Sequence, residues 1–111
     1  MSDRLTNPNK AVDFLIANAE KFAKAKADRV YLEEFRKSKK ALLMNACTEK
    51  AANAREQYAY SHPEYVELLQ GLRDAVEIEE ALRWQQVAAQ LRVEVWRSQE
   101  ATNRGQERAT R

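Results

Sequence analysis

The sequence predicts an all-α fold: a long antiparallel helical hairpin, coiled-coil-like, with room for a short third helix and a second copy completing the bundle. Three observations carry this. Only two glycines and two prolines occur in 111 residues, so the chain has few places to turn. Charged residues reach 32% and aromatics only 8%, the balance of long helices packed along narrow seams. A heptad also runs without a skip through the second half of the chain.

The first helix is expected over about residues 8–47. Asn7-Pro8 reads as an N-cap followed by proline at the first helical position, where its missing N–H costs nothing. Val12, Leu15, Ile16, Ala19, Phe22 and Ala23 form one apolar stripe, and Tyr31, Phe35, Leu42 and Ala46 form another. At about 100° per residue the two stripes lie on opposite sides of a straight helix. The change falls at residues 24–29 and contains no Gly or Pro to bend the chain, so the two halves are expected to pack against different partners.

Residues 45–60 are Ala-rich and polar and predict either a short helix over about 49–60, after a break near residues 45–50, or a continuation of the first helix. Ser61 and Glu64 have capping-box spacing, and Pro63 turns His62 away from helical geometry. A second long helix over about residues 62–103 follows. Its heptad places Tyr65, Leu68, Leu72, Ala75, Glu79, Leu82, Gln86, Ala89, Val93 and Trp96 at successive seam positions. Glu79 and Gln86 weaken that seam and are candidates to set its register. Residues 1–104 are read as a single helical domain and 105–111 as a flexible tail.

The same helix is apolar on a second side, through Trp84, Val87, Ala88, Leu91 and Val95. A helix apolar all round is buried, and the first helix covers one side only. A second copy, a folded-back helix from residues 48–60 and a different protein are the three available covers. The copy is preferred, because a short Ala-rich helix covers a tryptophan poorly. Trp84, Val87, Leu91 and Val95 are thus the candidate oligomer or partner face.

Charge is unevenly placed. Residues 1–47 carry +4, residues 48–80 carry −5 and residues 81–111 carry +3, which sum to the net +2. Arg36, Lys39 and Lys40 share one helix face and are candidate nucleic-acid contacts. The acidic block in the same chain is an equally suitable partner, and that pairing is preferred. Nucleic acid is therefore a possible but not favoured partner.

No catalytic, cofactor or metal site is expected. His62 is the only histidine and Cys47 the only cysteine, so the ligand sets of zinc or di-iron centres are missing. Cys47 reads as a buried structural residue, and no enzyme is expected. The stretch Met1-Ser2-Asp3-Arg4 lacks the apolar segment of a signal peptide, and no apolar run reaches the roughly 18 residues of a membrane span. A cytoplasmic protein with no membrane partner is expected.

The run Leu91-Arg92-Val93-Glu94-Val95-Trp96-Arg97-Ser98, followed by Asn103-Arg104, resembles the ending of small helical proteins encoded by tailed bacteriophages and prophages. Ala25-Lys26-Ala27-Asp28 and Ala54-Arg55-Glu56 are similar to that group as well. The resemblance covers roughly residues 20–104. It implies a phage or prophage origin, a bacterial host and, since such genes often lie beside recombination genes, a role near DNA metabolism. It carries no functional residues over. The expected function is a non-enzymatic helical interaction protein. The alternative is an accessory nucleic-acid-binding factor in phage DNA recombination.

Overall fold

The computed structural model describes residues 7–110. Three helices account for nearly all of them: α1 (Pro8–Ala46), α2 (Ala52–Ser61) and α3 (Pro63–Thr110). No strand occurs among the described residues. The chain is all-α, as its scarcity of turn residues requires.

Each boundary has a local cause. The Asn7 Oδ1 accepts the backbone N–H of Asn9 at 3.0 Å and of Lys10 at 3.4 Å, so two orphan donors of the first turn are satisfied. The far end of α1 has no basic residue in its last turn. Arg55 supplies one from α2: its Nε donates to the Met44 carbonyl at 3.2 Å and its Nη2 to the Asn45 Oδ1 at 3.5 Å. The connection at residues 47–51 is thus bridged by the Arg55 guanidinium.

The α2–α3 junction differs in detail from the expected capping box. Ser61 is the last residue of α2, and its Oγ donates back to the Gln57 carbonyl at 2.7 Å. His62 is the extended residue between the helices, at φ −66° and ψ 135°, as a residue before proline prefers. Its Nδ1 accepts the Glu64 N–H at 3.1 Å. The imidazole therefore does the capping that serine spacing had suggested.

The third helix also corrects an expected end. It continues through Gly105 to Thr110 instead of stopping near Asn103, and neither glycine has positive φ. One glycine costs roughly 1 kcal/mol in a helix interior, and Gln106, Glu107, Arg108 and Ala109 around it all favour or tolerate helix. Arg111, the rest of the expected tail, lies outside the described residues.

Contacts gather in two units rather than in one continuous core. One comprises Met1–Phe22 with Ala81–Arg111, and the other Ala23–Glu80. The division on α1 falls beside residues 24–29, where its apolar stripes change side.

Along α3, Tyr65, Glu79 and Ala89 of the predicted seam are buried and Leu68, Leu72, Ala75, Leu82, Gln86 and Val93 are half-buried. Trp96, the last seam position, is exposed. The α1 seam takes up only part of the apolar stripes, through half-buried Leu15, Phe22 and Phe35. Val12, Ile16, Tyr31 and Leu42 are exposed. Besides half-buried Pro8, Glu33, Phe35, Lys40 and Met44, the protected residues are Ala11, Leu15, Asn18, Phe22, Ala25, Arg29 and Leu32, then Lys39 and Leu43. These follow one alternation of four and three along the helix, built largely from small and polar side chains.

The polar seam residues are satisfied within their own units. In the first, the Asn18 Nδ2 donates to the Leu82 carbonyl at 3.3 Å. In the second, Glu79 is only 2% exposed and accepts a two-pronged grip from the Arg29 guanidinium, through Nε and through Nη2 at 3.2 Å. The Arg29 Nη1 donates to Glu33 at 3.0 Å. No buried side-chain nitrogen or oxygen of the described residues lacks a partner. The second unit also holds an apolar cluster, Leu43, Ala59 and Tyr65 with Met44 against it.

Candidate interaction face

The site begins with a periodicity. Trp84, Leu91 and Val95 recur at seven and four residues, so one side of α3 presents them together, with Val87 and Ala88 alongside. In the first unit Trp84 is 66% exposed, Leu91 52% and Val95 52%, while Val87 is half-buried. Among the described residues of its own unit nothing covers Trp84, Leu91 or Val95. The short helix α2 gives Ala59 to the apolar cluster in the second unit.

Beside that face, Lys10, Ala11 and Phe14 of α1 and Gln85, Ala88 and Arg92 of α3 line a groove of about 410 Å³. Its lining mixes apolar side chains with two cations, Lys10 and Arg92. Exposed aromatic and aliphatic side chains gathered on one rigid helix are the raw material of a binding hot spot, since burying each large side chain gains ~1.5–3 kcal/mol.

The basic cluster lies in the second unit and is mostly engaged. The Lys39 Nζ sits 2.9 Å from the Glu64 Oε2, and this contact holds the Glu64 carboxyl below its ordinary pKa. The Lys40 Nζ sits 3.3 Å from the Glu56 Oε1 and 4.7 Å above the Tyr60 ring. The Tyr60 hydroxyl first, and Glu56 second, raise the Lys40 pKa. Arg36 is exposed and, with Lys37, Lys40, Tyr60 and Tyr65, lines an open groove of about 540 Å³. The structure thus brings Lys39 and Lys40 to carboxylates and leaves Arg36 at the surface.

The remaining reactive groups have structural surroundings. The His62 ring packs edge-on against Tyr58 at 5.5 Å besides capping α3. Cys47 is half-buried rather than buried, and its N–H donates to the Met44 carbonyl at 3.2 Å. The Arg29 guanidinium is held well above its ordinary pKa, by Glu79 first and Glu33 second. Among the described residues no group of three or more His, Cys, Asp or Glu could hold a metal ion. No helix among them is long and apolar enough to cross a membrane.

Sequence reasoning missed one feature. In the second unit, Asp28, Tyr31 and Leu32 of α1 and Gly71, Asp74 and Ile78 of α3 line a further groove of about 340 Å³. The signal was present in Gly71, a glycine inside a periodic helix where a neighbour's close approach is permitted.

Comparison with known proteins adds no relative: no family model, no curated protein and no solved structure matches the chain.

Proposed function

We propose that the protein is a non-enzymatic helical interaction protein of phage or prophage origin, acting in the bacterial cytoplasm as an assembly with further copies of itself. The observation that carries this reading is the Trp84 face. A tryptophan two-thirds exposed beside half-exposed Leu91 and Val95 leaves apolar surface in water that a second chain would remove. The alternation of four and three on both long helices supports coiled-coil-like packing as the means of assembly. The origin rests on the sequence resemblance alone, carried by residues 25–28, 54–56 and the C-terminal run.

Nucleic-acid binding is the weaker alternative, because the Lys39 and Lys40 ammonium groups already neighbour Glu64 and Glu56. Light scattering after size exclusion tests the reading. The parent chain should run as at least a dimer at micromolar concentration, and Trp84→Lys should shift it toward monomer with its helical circular dichroism intact. A parent chain that stays monomeric would sink the proposal.

A further inference from the structure

One residue both ends α2 and begins α3. The His62 N–H donates to the Ala59 carbonyl at 3.3 Å, and the His62 carbonyl accepts the Tyr65 and Val66 N–H groups at 3.0 and 3.1 Å. Pro63, the first residue of α3, has no N–H to satisfy. The Glu64 N–H is then the donor of that turn which depends on a side chain, and the His62 Nδ1 accepts it at 3.1 Å.

The chemistry of imidazole makes this cap conditional. A backbone N–H only donates, so the ring nitrogen that meets it must be bare. An imidazolium carries a proton on both nitrogens and accepts at neither. Its charge is also misplaced at the positive end of a helix. Capping and protonation of His62 therefore exclude each other. The commoner cap asparagine would accept the same N–H and never titrate. His62 is the only histidine of the chain, and histidine is the side chain whose ordinary titration falls between about pH 5 and 8.

Ionisable groups reach the ring from all three helices, and the turn it caps carries two tertiary contacts. Tyr58 of α2 meets the ring edge-on at 5.5 Å. The Glu64 carboxylate of α3 feels the imidazole's charge, and the Lys39 Nζ of α1 lies 2.9 Å from it. Tyr65, three residues after His62, packs with Leu43 and Ala59 and meets the Tyr60 ring edge-on at 5.3 Å. The first turn of α3 thus holds both an ion pair to α1 and one member of the apolar cluster.

We propose that His62 is a pH-operated cap. Neutral, it fastens the first turn of α3; protonated, it releases the Glu64 N–H and lets that turn fray, loosening Tyr65 and the Lys39–Glu64 pair together. The device lies within the second unit and does not depend on association between copies.

Amide NMR of the full chain, followed from about pH 7.5 to 5 beside the His62 ring protons, tests it. Lys39 keeps the Glu64 carboxyl below its ordinary 4.5, so Glu64 stays ionised over that range and the response belongs to the ring. As the ring titrates, the Glu64 amide proton should move upfield. The protection factors of Tyr65 and Val66, which correct for the intrinsic pH dependence of exchange, should fall about fivefold, the effect of losing one ordinary cap. His62→Asn should hold the parent's neutral-pH protection across the whole range, and His62→Ala should show the lowered protection throughout. Unchanged protection of Tyr65 and Val66 in the parent while its ring titrates would overturn the proposal. So would a ring that stays neutral down to about pH 5, or a His62→Asn variant that loses protection with the parent's pH dependence.

Discussion

Leu42 and Leu43 are neighbours on α1 with opposite environments, and truncating each in turn isolates burial from everything else. Leu43 is 5% exposed and packs in the cluster with Ala59 and Tyr65, whereas Leu42 is 59% exposed. Leu→Ala removes the equivalent of three carbons, worth about 2.4 kcal/mol at roughly 0.8 kcal/mol each when fully buried. A residual cavity adds to this, because Ala59 and Tyr65 belong to different helices and close the gap only in part. Leu43→Ala should therefore cost about 2–4 kcal/mol. Leu42→Ala loses less than half of the transfer contribution, leaves no cavity and gains slightly in helix propensity, so it should cost below about 1 kcal/mol.

Urea unfolding followed by circular dichroism at 222 nm measures both. A difference near 2 kcal/mol corresponds to roughly 8 °C in Tm for a chain of this size. That is a large share of the ~5–15 kcal/mol a domain of this length commands. Equal losses at every protein concentration would refute the placement of Leu43 in the cluster. A Leu42 loss that appears only as concentration rises would instead mean that a second chain covers it.

Gly71→Ala should raise thermal stability by about 0.5–1 kcal/mol, since the added methyl enters open space and the unfolded chain loses freedom; calorimetry of dilute protein checks it. Glu64→Gln should lower the Tm slightly at neutral pH. Lys39 depresses the folded Glu64 pKa below its ordinary 4.5, so the contribution is complete above that value and lost as pH falls through the lower folded one. The two melting curves should converge in strong acid, and added salt should narrow their gap because the pair is exposed. Changing Arg36, Lys39 and Lys40 together to Gln should cost stability modestly, and the parent should show no salt-sensitive DNA retention in filter binding at physiological salt. Submicromolar retention there would restore the nucleic-acid reading.

The α3 seam was legible because its apolar residues are large and keep strict heptad spacing over ten positions. The exposed second face was legible for the same reason, since Trp84, Leu91 and Val95 stand out against a polar background. The α1 seam was not. Three of its four buried positions are Ala11, Asn18 and Ala25, which carry little or no hydrophobic signal. The larger Val12, Ile16 and Tyr31 draw the eye to faces that remain in water. Small residues let two helices approach closely, and the polar ones are tolerated because Leu82 and Glu79 answer them. Pairing of that kind is a property of two elements together, and no periodicity within one of them reveals it. The Asp28–Asp74 groove was hidden for the same reason, its two walls lying far apart in sequence.

The buried pair between Arg29 and Glu79 has a consequence for specificity. A seam rich in alanine discriminates poorly between one alignment of two helices and another shifted by a heptad. Such a shift would move Glu79 away from Arg29 and leave a carboxylate buried without its fork of donors, which is costly. The pair thus penalises the wrong alignment more than it stabilises the right one, the best-attested use of a polar seam residue. Replacing only Glu79 with Leu should lower the Tm, because Arg29 then faces an apolar seam with only the half-buried Glu33 left to it. Replacing both, as Arg29→Met with Glu79→Leu, should recover or exceed parent stability, as apolar replacements of buried pairs often do. The cost should surface elsewhere: amide NMR spectra of the double variant should show more than one set of signals for residues 23–80, reporting slipped alignments. A single set of signals at the parent's chemical shifts outside the two mutated sites would mean that the alanines and the Leu43–Ala59–Tyr65 cluster define the register alone.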